Sequence, residues 1–266
     1  MIPKIIHYCW FGGNPLPPLA LECIVSWRKF FPDYEIWQWG EDGNINDNEN
    51  VNEDENRLFD KKMAFDVNII PYTAEAYAQK KYAFVSDYAR FWILYKYGGI
   101  YFDTDVEVIK PMDNIVERGA FMGCETDYKG GLVSCENTTN PGLGLGVAPG
   151  LGLIKKMCDY YDDKHFEFKE GGKDQETVVH IATKILYENG MQNVKGIQCV
   201  DGVYIYPSEY FCPINITSKR LHITENTRSI HRYMDSWSGT KKNWKDYIRK
   251  YIPECLLLKF SEIKNR

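Results

Sequence analysis

The chain has 266 residues, of which 26% are charged and 44% hydrophobic, and its formal net charge is −5. A chain of this length buries roughly 70–75% of its unfolded surface, so folding requires neither a disulfide framework nor a structural metal. The eight cysteines are scattered without a C-x-x-C pair, which excludes the usual zinc patterns. No stretch reaches the ~18 apolar residues of a spanning helix, and the N-terminus lacks the basic and apolar regions of a secretory leader. The expected setting is therefore a reducing cytoplasm, with free thiols acting as small core hydrophobes. No nucleic-acid partner is expected.

Residues 4–10 form an apolar run ended by Phe11-Gly12-Gly13 and a proline-rich turn, which predicts a buried first strand. Helical spacing over 19–31 and alternation over 34–39 follow, and strand, helix and strand together predict a parallel α/β sheet. Residues 41–60 hold eight acids, one arginine and almost no apolar side chains, the composition of a solvated insertion, taken as 41–62. Helical patterning resumes over 74–97, with Ser86 a candidate N-cap dividing it, and stops at Gly98-Gly99. Residues 100–109 then read as one strand closed by Lys110-Pro111, followed by a short strand at 120–124. The glycines between 130 and 152 follow no phosphate-loop spacing and are assigned to turns and close backbone packing. Segments 153–161 and 175–188 read as helices, and 200–206 as a strand.

Within this pattern, Asp103-Thr104-Asp105 follows an aromatic apolar run and a Gly-Gly break. On an extended backbone residues i and i+2 face the same side, so the two carboxylates converge on one hard cation. A partly hydrated Mg²⁺ or Mn²⁺ commonly carries a diphosphate on its free positions. Asp87 and Arg90, at i and i+3 on one helical face just ahead of this strand, read either as a weak surface ion pair or as a sugar-binding carboxylate braced by a guanidinium.

These residues carry a resemblance. Ser86-Asp87-x-x-Arg90 with Gly98-Gly99-Ile100-Tyr101-x-Asp103-x-Asp105 resembles the family-32 glycosyltransferases with a DXD sugar-binding region, and more distantly the catalytic domain of the large glucosylating toxins. His7-Tyr8-Cys9-Trp10-Phe11-Gly12-Gly13 is similar to that family's first-strand block, and His231-Arg232-Tyr233-Met234-Asp235-Ser236-Trp237 to its C-terminal block. The resemblance implies a GT-A-type α/β domain over 1–240 and a retaining, metal-dependent hexosyl transfer. The donor it implies is a nucleotide sugar, UDP-linked in preference to GDP-linked. It implies Asp105, with Asp103 and His231, as Mn²⁺ or Mg²⁺ ligands, and Asp87, Arg90, Asp103 and Asp105 as the catalytic set. Donor binding falls to Trp10, stacking on the base, to Asp87, Arg90 and Asp103, and to Ser236 and Trp237 at the leaving phosphates.

Two other functions fit parts of the pattern. Residues 100–105 also resemble the nucleophile strand of haloacid-dehalogenase phosphohydrolases, but Val106-Glu107 departs from that motif and its downstream Gly-Asp is missing. A non-catalytic carbohydrate-binding protein would use the aromatic faces and leave the aspartate pair and Arg90 unexplained. The segment 241–266 sets eight Lys or Arg against three acids among Trp244, Tyr247, Tyr251 and Phe260. It reads as a basic amphipathic helical tail, packed on the domain or lying on the inner face of the cell membrane. With family members that build surface polysaccharides, that tail implies a saccharide or lipid-linked saccharide acceptor.

Overall fold

The computed structural model describes residues 1–43, 58–127, 136–167, 176–215 and 220–234. The first strand, β1 (Ile5–Cys9), is followed by α1 (Pro18–Phe30) and β2 (Glu35–Gly40), which pairs parallel with it. Helix α1 begins with proline at its first turn, where the missing N–H costs nothing, and ends with Arg28 and Lys29 beside its exposed carbonyls. A fourth-residue pattern of Ala20, Cys23, Ile24 and Trp27 turns one face of α1 onto the sheet. Next come β3 (Lys61–Ala64), α2 (Pro71–Ala78), α3 (Tyr82–Tyr97), β4 (Gly99–Tyr101) and β5 (Val106–Val108). They are followed by α4 (Asp113–Arg118), β6 (Phe121–Thr126), β7 (Thr138–Thr139) and β8 (Leu145–Val147). The remainder is α5 (Gly152–Asp159), α6 (Val178–Glu188), β9 (Gln198–Val200), β10 (Val203–Tyr206), α7 (Ser208–Phe211) and β11 (Ser229–His231).

The main sheet runs β3-β2-β1-β4-β8-β6-β10-β9, with β7 on β6. Pairs β3–β2, β2–β1, β1–β4 and β6–β10 are parallel, whereas β8 is antiparallel to both neighbours and β9 to β10. Because β8 reverses direction twice over, β6 and β10 point the same way as β4, and their C-terminal ends share one edge of the sheet. This is the α/β class expected, with a mainly parallel sheet carrying one internal antiparallel strand. Two cores cover its faces. One packs α3, α5 and α6 through Phe91, Leu94, Met157 and Ile185. The other packs α1 through Ile24 and Trp27 against Phe102 and Val106, with the Trp27 indole N–H donating to the Val106 carbonyl at 2.7 Å.

His7 lies fully buried in β1 and is fixed in one neutral tautomer. Its Nε2–H donates to the Gly98 carbonyl at 2.9 Å, and its Nδ1 accepts the Trp39 indole N–H at 3.1 Å. Burial pushes its pKa down to about 4, against the hydrogen bond to Gly98.

Several local expectations change. The 74–97 stretch is two helices, but the break falls at 79–81 rather than at Ser86. Ser86 sits inside α3 and donates its hydroxyl back to the Tyr82 carbonyl at 3.2 Å, the mid-helix alternative to capping. Residues 100–109 are two short strands with the aspartates in the turn between them, since β5 leaves the main sheet to pair with β11. Residues 200–206 form a hairpin of β9 and β10, whose Asp201-Gly202 turn has both φ angles positive, at 47° and 82°. The segment 41–62 is not wholly an inserted loop, because Lys61 and Lys62 already belong to β3. Residues 44–57 and the tail 241–266 lie outside the described residues.

Candidate functional site

The site gathers where β4 ends. Helix α3 delivers Asp87 and Arg90 one turn apart, and both side chains are buried. Arg90 Nη2 bonds Asp87 Oδ1 at 3.0 Å and reaches Asp103 Oδ1 at 3.3 Å. Its Nε donates to the Ser86 carbonyl at 3.0 Å, and the guanidinium lies 5.0 Å from the Tyr101 ring centre. Burial pushes the Asp87 carboxyl up to about 7, partly offset by Arg90. Arg90 stays charged: burial opposes its charge, but Asp103, Tyr101 and Asp87 hold its pKa above the ordinary value. The buried Nη1 of Arg90 has no hydrogen-bond partner among the described residues. The ion pair read as either surface or functional is thus interior, where its loss would strand two carboxylates.

Asp105 meets residues from the far end of the described chain. Strand β11 pairs antiparallel with β5 so that His231 lies opposite Val106, the residue after Asp105. His231 Nε2 sits 3.1 Å from Asp105 Oδ1, and the Met234 N–H donates to Asp105 Oδ2 at 2.8 Å. The Arg232 N–H also donates to the Asp105 carbonyl at 2.9 Å. Burial favours the neutral acid, but His231, the Met234 N–H and the N–H of Asp105 itself hold the Asp105 carboxyl below its usual range. His231 is shifted up: burial disfavours the imidazolium, and the Asp105 carboxylate outweighs it.

Asp103, Asp105 and His231 each present one ligand atom within 4.8 Å of the others. Two hard carboxylate oxygens and one imidazole nitrogen suit Mg²⁺ or Mn²⁺. His231 Nδ1 is buried and has no hydrogen-bond partner among the described residues, so this ring is not fully committed to structural bonds. The residues fit the cation that the resemblance implies. They converge from a turn rather than from one extended strand, so the geometry that brings this pair together differs from the i, i+2 argument.

Trp10, at the end of β1, is half-buried, and its indole N–H donates to the Asn14 carbonyl at 2.5 Å. That bond fixes the ring just beyond the C-terminal end of β1. Ser236 and Trp237 lie outside the described residues, two and three positions beyond Met234.

Sequence reasoning missed a second layer. Gly142 packs so closely on Asp103 that a Cβ there would lie 1.8 Å from Asp103 Oδ2. Its carbonyl accepts the Asp103 N–H at 2.9 Å, and its own N–H donates to Asn140 Oδ1 at 2.8 Å. Glu125, at the end of β6, accepts the Tyr233 hydroxyl at 3.0 Å. The Tyr233 ring lies 4.2 Å from that of His231. The close-packing role given to the 130–152 glycines pointed toward Gly142; nothing in the local pattern singled out Glu125.

Residues 17–122 match the model of the family described as "Glycosyltransferase sugar-binding region containing DXD motif". Inositol phosphoceramide mannosyltransferase 1 of Schizosaccharomyces pombe is 29% identical over 124 residues, covering 46% of this chain and 33% of that protein. Inositol phosphoceramide mannosyltransferase 3 of the same organism is 30% identical over 121 residues, covering 46% and 29%. The chain thus spans about a third of the length of these curated relatives. Among solved structures, the PaToxG glycosyltransferase aligns over 70% of this chain and 69% of its own, at 21% identity and TM-score 0.49. The galactosyltransferase LgtC aligns over 94% and 98%, at 14% identity and TM-score 0.42. The segment that delivers Asp87, Arg90, Asp103 and Asp105 therefore lies within the residues that match the DXD-containing glycosyltransferase sugar-binding region.

Proposed function

We propose that this chain is a metal-dependent, retaining glycosyltransferase that moves a hexose from a nucleotide sugar, UDP-linked in preference, to a saccharide or lipid-linked saccharide. The observation that carries the reading is the meeting of Asp103, Asp105 and His231 within 4.8 Å, beside the buried Asp87–Arg90 pair. The matched family model makes this reading stronger than a phosphohydrolase or a carbohydrate-binding module. The curated relatives are by name mannosyltransferases acting on a glycolipid, which supports a hexosyl group and a lipid-linked acceptor.

Asp105, Asp103 and His231 would hold Mn²⁺ or Mg²⁺, which when bound supplies positive charge beside the departing diphosphate. Arg90, permanently charged and fixed by Asp87, adds a second cation whose orientation is set before the donor arrives. Asp87 and Asp103 accept hydrogen bonds from donor hydroxyls, and the face of Trp10 receives the base. Ser236 and Trp237 donate to the leaving phosphates. The sugar's bond to the phosphate oxygen breaks as the acceptor oxygen bonds to the same carbon from the same face. The acceptor proton passes to the departing phosphate, so no protein nucleophile is required.

The place of this reaction is proposed to be surface polysaccharide synthesis at the cytoplasmic membrane face, reached through the basic segment 241–266. No helix among the described residues is long and apolar enough to cross a membrane. Equal pelleting with anionic liposomes by the full chain and by a chain ending at Thr240 would remove the membrane role. The reaction itself is tested by nucleoside diphosphate release from UDP- and GDP-sugars with Mn²⁺. One donor should turn over slowly in the wild type and not in Asp105→Asn; release that ignores both Mn²⁺ and the substitution would sink the reading.

A further inference from the structure

Glu125 stands on the same sheet edge as the aspartate pair. Leu145 of β8 pairs with Tyr101 of β4 on one side and with Met122 of β6 on the other, so these two residues are level. Asp103 lies two residues beyond Tyr101, and Glu125 three beyond Met122. Tyr101 and Met122 are two strand spacings apart, about 10 Å, a separation of the order of one sugar ring with its hydroxyls. Between Asp103 and Glu125 runs the Asn140-Pro141-Gly142 turn. Asn140 donates its amide N–H to Glu125 Oε1 at 3.5 Å, and its Oδ1 accepts the N–H of Gly142, whose carbonyl accepts the Asp103 N–H. The floor of this gap therefore ties one carboxylate to the other.

Glu125 is also oriented from above. Tyr233 donates its hydroxyl to Oε1 at 3.0 Å, and the Cys212 thiol lies 2.9 Å from the same hydroxyl oxygen. Burial pushes that thiol up to about 12, so it keeps its proton. A chain of contacts runs from Cys212 through Tyr233 to Glu125 and ends on a single oxygen. Oε2 of Glu125 accepts no hydrogen bond among the described residues, and Glu125 is only half-buried. Two buried side-chain nitrogens nearby, Arg90 Nη1 and His231 Nδ1, also lack hydrogen-bond partners among the described residues.

We infer that Glu125 is a further saccharide-binding residue of this site, whose free Oε2 accepts a sugar hydroxyl while Tyr233 and Asn140 hold Oε1. The inference rests on the transferase reading. A carboxylate with one oxygen anchored and the other open is suited to accept a hydroxyl proton, because its orientation is fixed before the sugar arrives. The hydroxyl belongs either to the donor's hexose or to the acceptor, and the two sources share this chemistry.

Glu125→Gln separates the roles, because the amide oxygen can still accept from Tyr233 while the open position becomes an N–H donor. Nucleoside diphosphate release would be measured with UDP-glucose, UDP-galactose and GDP-mannose plus Mn²⁺, with and without methyl glycosides of mannose, galactose and glucose. The expected result is a loss of at least 30-fold in kcat/KM, an unchanged Tm, and affinity for the free nucleoside diphosphate with Mn²⁺ within threefold of wild type. Loss without glycoside assigns the hydroxyl to the donor; loss only of the glycoside-stimulated release assigns it to the acceptor. Release within twofold of wild type in both conditions overturns the inference. A wild-type protein that releases no diphosphate from any of these donors overturns the transferase reading, and the inference with it.

Discussion

The two halves of the site are built by opposite means. Asp87 and Arg90 are one turn apart on α3, inside a buried face, and nothing has to fold across the chain to bring them together. Asp105 and His231 are 126 positions apart and meet only because β11 docks on β5. The first half is held by helix geometry and an interior ion pair, the second by one short two-stranded pairing and three N–H or imidazole contacts on Asp105. A charged pair set by local helix geometry suits a constant task, such as orienting a donor. A pairing of two three-residue strands suits a part that must yield when substrate enters or product leaves.

The comparison predicts unequal damage. Replacing Arg90 by Ala leaves the buried Asp87 and the partly exposed Asp103 without their shared cation. We expect a loss of about 3–5 kcal/mol in urea unfolding, together with loss of activity. Asp105→Asn preserves shape and the Met234 contact, so the fold should persist within about 1 kcal/mol. Turnover should nevertheless fall about 10²–10³-fold, comparable to removing one preorganised electrostatic contact to the transition state. If Asp105→Asn unfolds the protein and Arg90→Ala does not, the assignment of the two halves is reversed.

A third prediction concerns β1, which supports both halves. His7 is neutral in the fold with a pKa near 4, and in the unfolded chain it takes up a proton near 6.5. A depressed folded pKa gives stability that is complete above 6.5 and is lost as pH falls toward 4. The total is roughly 3 kcal/mol by linkage. Urea midpoints measured between pH 7 and pH 4 should show this slope in the wild type and a shallower one in His7→Gln. Equal slopes would remove His7 as the cause.

The smallest effect sharpens the junction between the halves. Gly142→Ala places a methyl where Asp103 Oδ2 now sits, so the carboxylate must turn away. We expect about 1–3 kcal/mol of destabilisation and a larger fractional loss in turnover than in stability, measured by thermal melts beside kinetics.

The legible parts of this molecule were those in which local pattern and final role coincide. Helical spacing placed Asp87 and Arg90 on one face, and the Gly98-Gly99 break placed the aspartates just after it; Gly98, with φ of +64°, does end α3. The first strand, its turn and the following helix were likewise visible, because apolar runs and proline positions are local signals. The pairing of β8 was not, because Leu145–Val147 is a three-residue strand inside a glycine-rich segment and owes its state to two neighbours rather than to propensity. Ser86 was misplaced as a cap because its hydroxyl satisfies a helix carbonyl as readily as it caps an N-terminus. The burial of Arg90 and the approach of Glu125 through Tyr233 depend on contacts between distant segments, which spacing along one chain does not encode.

The central claim is that Asp103, Asp105 and His231 form one cation site that nucleotide completes. The most direct measurement is Mn²⁺ binding by electron paramagnetic resonance, with and without UDP or GDP, for the wild type and Asp105→Asn. The account predicts that one equivalent of Mn²⁺ is bound by the wild type, more tightly with nucleoside diphosphate, and that the variant loses it. Equal Mn²⁺ binding by both proteins would contradict the account.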